Sequence, residues 1–161
     1  MLSEAQAWEV LRQVPDPEIP VISVAELGIV REVHAAPDTL TVILTPTYSG
    51  CPATEVIEQN IRDALAEAGA QLVQVEVRLA PAWTTDWIAP GAAQKLRAYG
   101  IVPPASSAAG DSRPLRFVVR LSCPRCASSD TERLSEFGST ACKALYRCRS
   151  CGEPFEYFKP L

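Results

Sequence analysis

Cys123-Pro-Arg-Cys126 and Cys148-Arg-Ser-Cys151 form two C-x-x-C pairs. A two-residue gap lets a tight turn present both thiolates to one point, so each pair offers two ligands to a single ion. The 21 residues between the pairs slightly exceed the usual ribbon spacing of about 15 to 20, yet they suffice for a hairpin. Four sulfurs without a histidine suit a closed, structural zinc site. Rubredoxin-like iron is the alternative, because both ions accept tetrahedral sulfur. Four buried free thiols would be the bland reading, but a segment with so few apolar side chains needs a metal to hold it.

Two cysteines stand outside this quartet. Cys142, in Gly138-Ser-Thr-Ala-Cys-Lys-Ala144, reads either as a small core residue or as a spare thiol near the metal. Lys143 beside it does little for its reactivity, since adjacent strand residues point to opposite faces. Cys51 falls at the expected N-terminus of a long helix, where free N–H groups and the positive end of the helix dipole stabilise a thiolate. It could serve as a ligand or nucleophile, or simply pack in a turn, and the residues alone leave these open. A nucleophile needs a base, and the one histidine, His34, is expected at a hairpin end, which argues against a cysteine hydrolase. Asp16 and Glu18, set between prolines, read as turn and capping residues rather than an acid–base pair. No catalytic constellation stands out, and the chain reads as a non-enzyme.

The elements that position these residues follow from periodicity. Ser3 and Gln6 form a capping-box pattern, after which Ala7, Val10, Leu11 and Val14 recur at helical spacing until Pro15. Leu27 to Val33 and Thr39 to Thr45 read as a β-hairpin turning at Ala35-Ala-Pro-Asp38. The loop Pro46 to Pro52 then opens a helix with Pro52 in its first turn, an apolar stripe of Ile57, Ile61, Ala64, Leu65 and Ala68, and a stop at Gly69. Val73, Val75, Val77 and Leu79 alternate with polar residues, predicting a strand buried on one face. A last short helix is expected between Pro90 and Gly100, after a segment whose Trp83 and Trp87 read equally as core or as a partner surface. The stretch Val102 to Pro114 is rich in Pro, Ser, Ala and Gly and reads as a linker. Beyond it, strands are expected at Leu115–Leu121, Ala144–Arg147 and Pro154–Phe158. The fold class is therefore α+β: a small α-β-β-α-β domain at residues 1–101, a linker at 102–114, and a mainly β zinc-ribbon-like module at 115–161.

Bulk properties narrow the function classes. With 161 residues and 47% apolar composition, the chain can build one modest domain or two small ones. No apolar run approaches the roughly 18 residues of a membrane helix, and no export signal opens the sequence. The cytoplasm is the expected location, and a reducing compartment favours metal over disulfides. Residues 1–114 hold 7 Lys and Arg against 14 Asp and Glu, a net of −7, whereas residues 115–161 hold 8 against 5, a net of +3. Four thiolates on one divalent ion would bring the tail to about +1, too little for a nucleic-acid binder.

Asp16-Pro-Glu18, Leu27-Gly-Ile-Val30, Thr45-x-x-Tyr-Ser-Gly-Cys-Pro52 and Trp83-Thr84-x-Asp86 together resemble the DUF59 family of iron–sulfur assembly proteins over roughly residues 4 to 100. With Phe137 to Cys148 and Glu153-Pro-Phe155 added, the whole chain resembles the accessory proteins of aerobic phenylacetate degradation that are encoded with the phenylacetyl-CoA epoxidase. The resemblance implies a maturation factor that delivers an iron–sulfur cluster, most directly to the epoxidase's reductase component. The alternative is a structural or regulatory subunit that binds no cluster. By the same resemblance Cys51 is the cluster-handling cysteine and Asp16 belongs to the family's Asp-Pro-Glu motif, a second candidate for cluster handling. Where many relatives carry aspartate before Leu27-Gly28, this chain has Glu26. One Cys51 cannot fill four ligand positions, so a transient cluster implies a homodimer sharing two Cys51 residues, completed by other thiols.

Overall fold

The computed structural model describes residues 2–104 and 120–160. The expected linker, from residue 105 onward, and most of the strand expected at Leu115–Leu121 lie outside the described residues. The chain divides into two compact units, Met1–Ala92 and Ala93–Leu161.

The first unit has the order α-β-β-α-β that the periodicities require: α1 Glu4–Leu11, β1 Val30–Ala35, β2 Leu40–Leu44, α2 Thr54–Glu67 and β3 Val73–Val77. The capping box forms at α1, where the Ser3 side chain accepts from the Gln6 N–H and the Gln6 side chain accepts from the Ser3 N–H, satisfying donors that the helix leaves without partners. β2 is central, antiparallel to β1 and parallel to β3. Val33, Val42 and Val75 therefore share one sheet face, which joins Ile57, Ile61 and Leu65 of α2 and Ala7 and Leu11 of α1 in the core. On the opposite face Ile43 is also buried. It lies in β2 between Glu32 of β1 and Glu76 of β3 in register, where the Arg78 guanidinium reaches Glu32 at 2.7 Å and Glu32 also meets His34 at 3.0 Å.

Three local expectations change. Leu27 to Ile29 turn rather than extend: Gly28 takes φ +77°, the Ile29 N–H donates to the Val24 carbonyl, and the strand begins only at Val30. α2 begins at Thr54, so Cys51 and Pro52 form the turn before the helix rather than its first residues. The apolar side of β3 is only partly covered, with Val77 43% and Leu79 57% exposed, because β3 is an edge strand.

In the second unit, α3 Ala92–Ala98 and β4 Ile101–Val102 precede β5 Thr131–Ser135, β6 Lys143–Cys148 and β7 Pro154–Phe158. The sequence reading puts this helix at the end of the first domain, closes that domain at residue 101 and begins the linker at Val102, with no strand expected there. β4 pairs in parallel with β7, Ile101 with Glu156 and Val102 with Tyr157, and this long-range pairing places β4 in the sheet β4-β7-β6-β5. The core of this unit is thin: Val102, Leu121, Phe155 and Tyr157 close around Cys123 and Cys148. Tyr146 stacks on Phe155 at 5.8 Å and meets Tyr157 edge-on at 5.9 Å. Burial pushes the Tyr157 hydroxyl above its ordinary pKa.

Candidate metal centre and the Cys51 loop

The two C-x-x-C turns are built alike. In the first, the Ala127 N–H donates to the Cys123 carbonyl at 2.9 Å and the Cys123 N–H to the Ser128 carbonyl at 2.9 Å. In the second, the Gly152 N–H donates to Cys148 and the Cys148 N–H to Glu153, again at 2.9 Å each. Ala127 and Gly152, each four residues after the first cysteine of its pair, both take positive φ, +62° and +80°. Each turn directs one sulfur inward and one outward: Cys123 and Cys148 are buried, Cys126 and Cys151 exposed.

This geometry gathers the four sulfurs within 4.8 Å of one another. Cys123 Sγ lies 3.7 Å from Cys151 Sγ, and Cys126 Sγ lies 3.6 Å from Cys148 Sγ. A tetrahedral ion with metal–sulfur bonds of about 2.3 Å requires sulfur separations of about 3.8 Å, so the quartet fits such an ion closely. All four positions come from protein, leaving none open for substrate, which is the pattern of a structural site. The Arg125 N–H donates to Cys123 Sγ at 3.4 Å, a contact of the kind that orients a ligating sulfur. In the thiol state the group resists full ionisation. The backbone N–H of Cys151 draws Cys148 down to about 7. Cys126 is pushed up to about 12, where the pull of the Ser128 N–H is outweighed by lost hydration and by the other three sulfurs. A cation is what allows four thiolates to sit together.

Cys142 does not join the quartet. It is buried, its sulfur 3.0 Å from the Thr140 hydroxyl, and its carbonyl accepts from the Lys159 N–H. Lys143 beside it is almost fully buried with its ammonium 3.6 Å from Glu156.

The other sequence motifs converge within the first unit. Asp16 is buried, and its carboxylate accepts the N–H groups of Glu18 at 2.9 Å and Ile19 at 2.8 Å, which makes it the organiser of its own loop. That loop is tied to the next segment by Asp16 N–H to Ile22 and Val24 N–H to Val14. The Ile29 carbonyl accepts from Thr45 at the end of β2, and the Leu27 carbonyl accepts the Trp83 indole N–H at 3.0 Å. Thr45 starts the loop that carries Cys51, and Cys51 itself is half-buried, its carbonyl accepting from Thr54 as α2 begins. Among the described residues no cluster of three potential metal ligands includes Cys51, Asp16 or Cys142. Trp83 is core, whereas Trp87 is half-buried beneath the Arg31 guanidinium, 3.6 Å from its ring centre. Sequence reasoning missed this cation–π pair and the reason for Gly28: a Cβ there would lie 2.4 Å from the Trp87 carbonyl oxygen.

Comparison with known proteins fits this division. Residues 4–79 match the family model of an iron–sulfur cluster assembly protein, and residues 111–159 match the PaaD zinc beta ribbon domain. Among curated proteins, the chain is 53% identical to a putative 1,2-phenylacetyl-CoA epoxidase subunit of Escherichia coli, over 96% of this chain and 91% of that one. An Fe–S protein maturation auxiliary factor of Porphyromonas gingivalis is 34% identical over 52% of this chain and 81% of its own. Among solved structures, a DUF59 domain from Bacillus anthracis, 25% identical, covers 58% of this chain and 90% of its own with a TM-score of 0.54. The whole-length match, with both domain models in the same chain, shows that this protein belongs to the PaaD family of phenylacetyl-CoA epoxidase proteins.

Proposed function

We propose that this chain is a non-catalytic maturation factor for the phenylacetyl-CoA epoxidase, delivering an iron–sulfur cluster to the reductase component of that oxygenase. The observation that carries the reading is the joining, in one chain, of an iron–sulfur assembly domain to the ribbon found in the PaaD proteins. The maturation factors among its relatives match about half of the chain, and Cys51 lies on a half-buried loop between β2 and α2 of the assembly domain.

In this reading Cys51 holds the cargo cluster transiently, and Asp16 fixes the neighbouring loop. A single thiolate leaves the cluster underligated, so two Cys51 residues of a homodimer share it and the recipient's cysteines displace them. The quartet Cys123, Cys126, Cys148 and Cys151 holds zinc as a resident structural ion and takes no part in the transfer. The protein works in the cytoplasm, in keeping with the lack, among the described residues, of any helix long and apolar enough to cross a membrane.

The test is the iron, sulfide and zinc content of anaerobically reconstituted protein. Iron and sulfide should disappear in Cys51→Ser while zinc stays, and zinc should disappear in Cys148→Ser. A second reading, a component that binds the oxygenase stably and handles no cluster, draws on the name of the E. coli relative. Full epoxidase activity with Cys51→Ser, together with co-purification at fixed stoichiometry, would establish that second reading in place of the first.

A further inference from the structure

β3 is the outer strand of its sheet, and the direction of its backbone groups is set by two hydrogen bonds. The Leu72 carbonyl accepts from Leu40 and the Arg78 N–H donates to Leu44, so even-numbered residues face β2. In a parallel ladder the residues between them turn their N–H and C=O groups to the other side. Val73, Val75 and Val77 therefore offer their backbone groups along an edge that has no partner strand among the described residues. The same edge carries the exposed apolar side chains Val77 and Leu79 and, on the alternate positions, the charges Glu76 and Arg78. Exposed edges of this kind are templates for pairing with another strand.

We propose that the edge pairs with β3 of a second copy of this chain, antiparallel and centred on Val77. A two-fold pair can be centred on an outward-facing residue or on one that faces β2; among the latter, centring on Glu76 or Arg78 sets like charges against each other, and centring on Gln74 sets Glu76 against Leu72. Centring on Val77 sets Glu76 opposite the second copy's Arg78, twice by symmetry, at positions where the strands approach most closely. It also sets Val75 against Leu79 and Val77 against itself, which covers the exposed apolar side chains. Centring on Val75 instead sets Arg78 against Leu72 and Glu76 against Gln74, leaving Glu76 uncompensated and Arg78 with only Glu32 of its own chain. Charge complementarity thus selects both the partner and the register. The strand is short, so the contact falls toward the small end of specific interfaces, and the dimer forms reversibly with concentration.

One consequence rests on the proposed cluster reading of Cys51. Val77 is in register with Leu44, the last residue of β2, and the loop bearing Cys51 follows directly. A dimer centred on Val77 overlaps the two sheets at the ends from which these loops leave, the arrangement that a shared site requires.

Sedimentation velocity on the full, zinc-loaded chain tests the proposal without iron or sulfide. The native protein should shift from monomer to dimer as concentration rises. Glu76→Arg and Arg78→Glu should each raise the dissociation constant about tenfold, because each sets like charges opposite one another twice. An equimolar mixture of the two variants should dimerise at least as well as the native protein, since every facing pair is then Arg with Glu. Circular dichroism of each variant checks that it is folded, and Glu76, which has no ion-pair partner among the described residues, is the milder change. A native chain that stays monomeric throughout, or variants whose mixing restores nothing, would overturn the pairing. Either failure leaves the reconstitution test of Cys51 standing separately, and a cluster-free Cys51 leaves this test standing in turn.

Discussion

Ala127 and Gly152 occupy the same position in the two metal-binding turns, and both adopt the left-handed backbone, at φ +62° and +80°. Only the glycine does so without steric cost. Ala127→Gly should therefore stabilise the second unit by up to about 1 kcal/mol, and Gly152→Ala should destabilise it by about 1 to 2 kcal/mol. Competition of each variant with a zinc chelator, alongside thermal unfolding, measures both effects. Equal responses in the two variants would contradict the assignment.

Gly28 carries a heavier constraint, because its positive φ coincides with the backbone of Trp87 standing where a Cβ would be. Gly28→Ala is expected to cost more than about 2 kcal/mol, combining left-handed strain with an unrelievable clash. Tryptophan emission should shift as Trp87 leaves Arg31. A variant with native stability and emission would show that the segment 83–89 does not sit against this turn.

The Glu32 carboxyl is held below its usual pKa first by its hydrogen bond to His34 and then by that to Arg78. A depressed carboxyl stabilises the fold above its unfolded value of about 4.5, and that contribution is lost as pH falls through the lower folded value. Glu32→Gln should therefore unfold with a shallower dependence on pH below about 4.5 than the native chain. Urea midpoints across the acid range provide the comparison. Parallel curves for the two proteins would show that Glu32 does not tie β1 to the end of β3.

Removal of the metal should affect the two units unequally. The second unit has a thin core in which Cys123 and Cys148 are themselves members, whereas the first unit has a core with no share in the quartet. A chelator, or Cys148→Ser, is expected to abolish the near-ultraviolet signal of Tyr146 and Tyr157 while the helical signal of α1 and α2 persists. Loss of both signals together would mean that the ion also supports the first unit.

How much of this was legible in the sequence depended on how local each signal was. The capping box of α1, the stripe of α2 and the C-x-x-C spacing are decided within a few residues, and each appears where the sequence predicts it. β4 was invisible because two residues, Ile101 and Val102, become a strand only by pairing with β7 more than fifty positions later. β5 was missed because Thr131-Glu-Arg-Leu-Ser135 has no apolar alternation. It is held by pairing with β6 and by Glu132, which binds both Arg147 and Arg149 across the strands. The exposure of Val77 and Leu79 was hidden for a related reason: alternation shows that one face is apolar, but not whether the strand lies inside the sheet or at its rim.

The inward and outward split of the quartet has a consequence for how the tail exists in a cell. Because Cys123 and Cys148 serve at once as ligands and as core side chains, emptying the site and dissolving the interior are a single event. Such a module has two settings rather than a graded response. With a metal ion as its resident cofactor, its abundance in working form would follow the local supply of that ion.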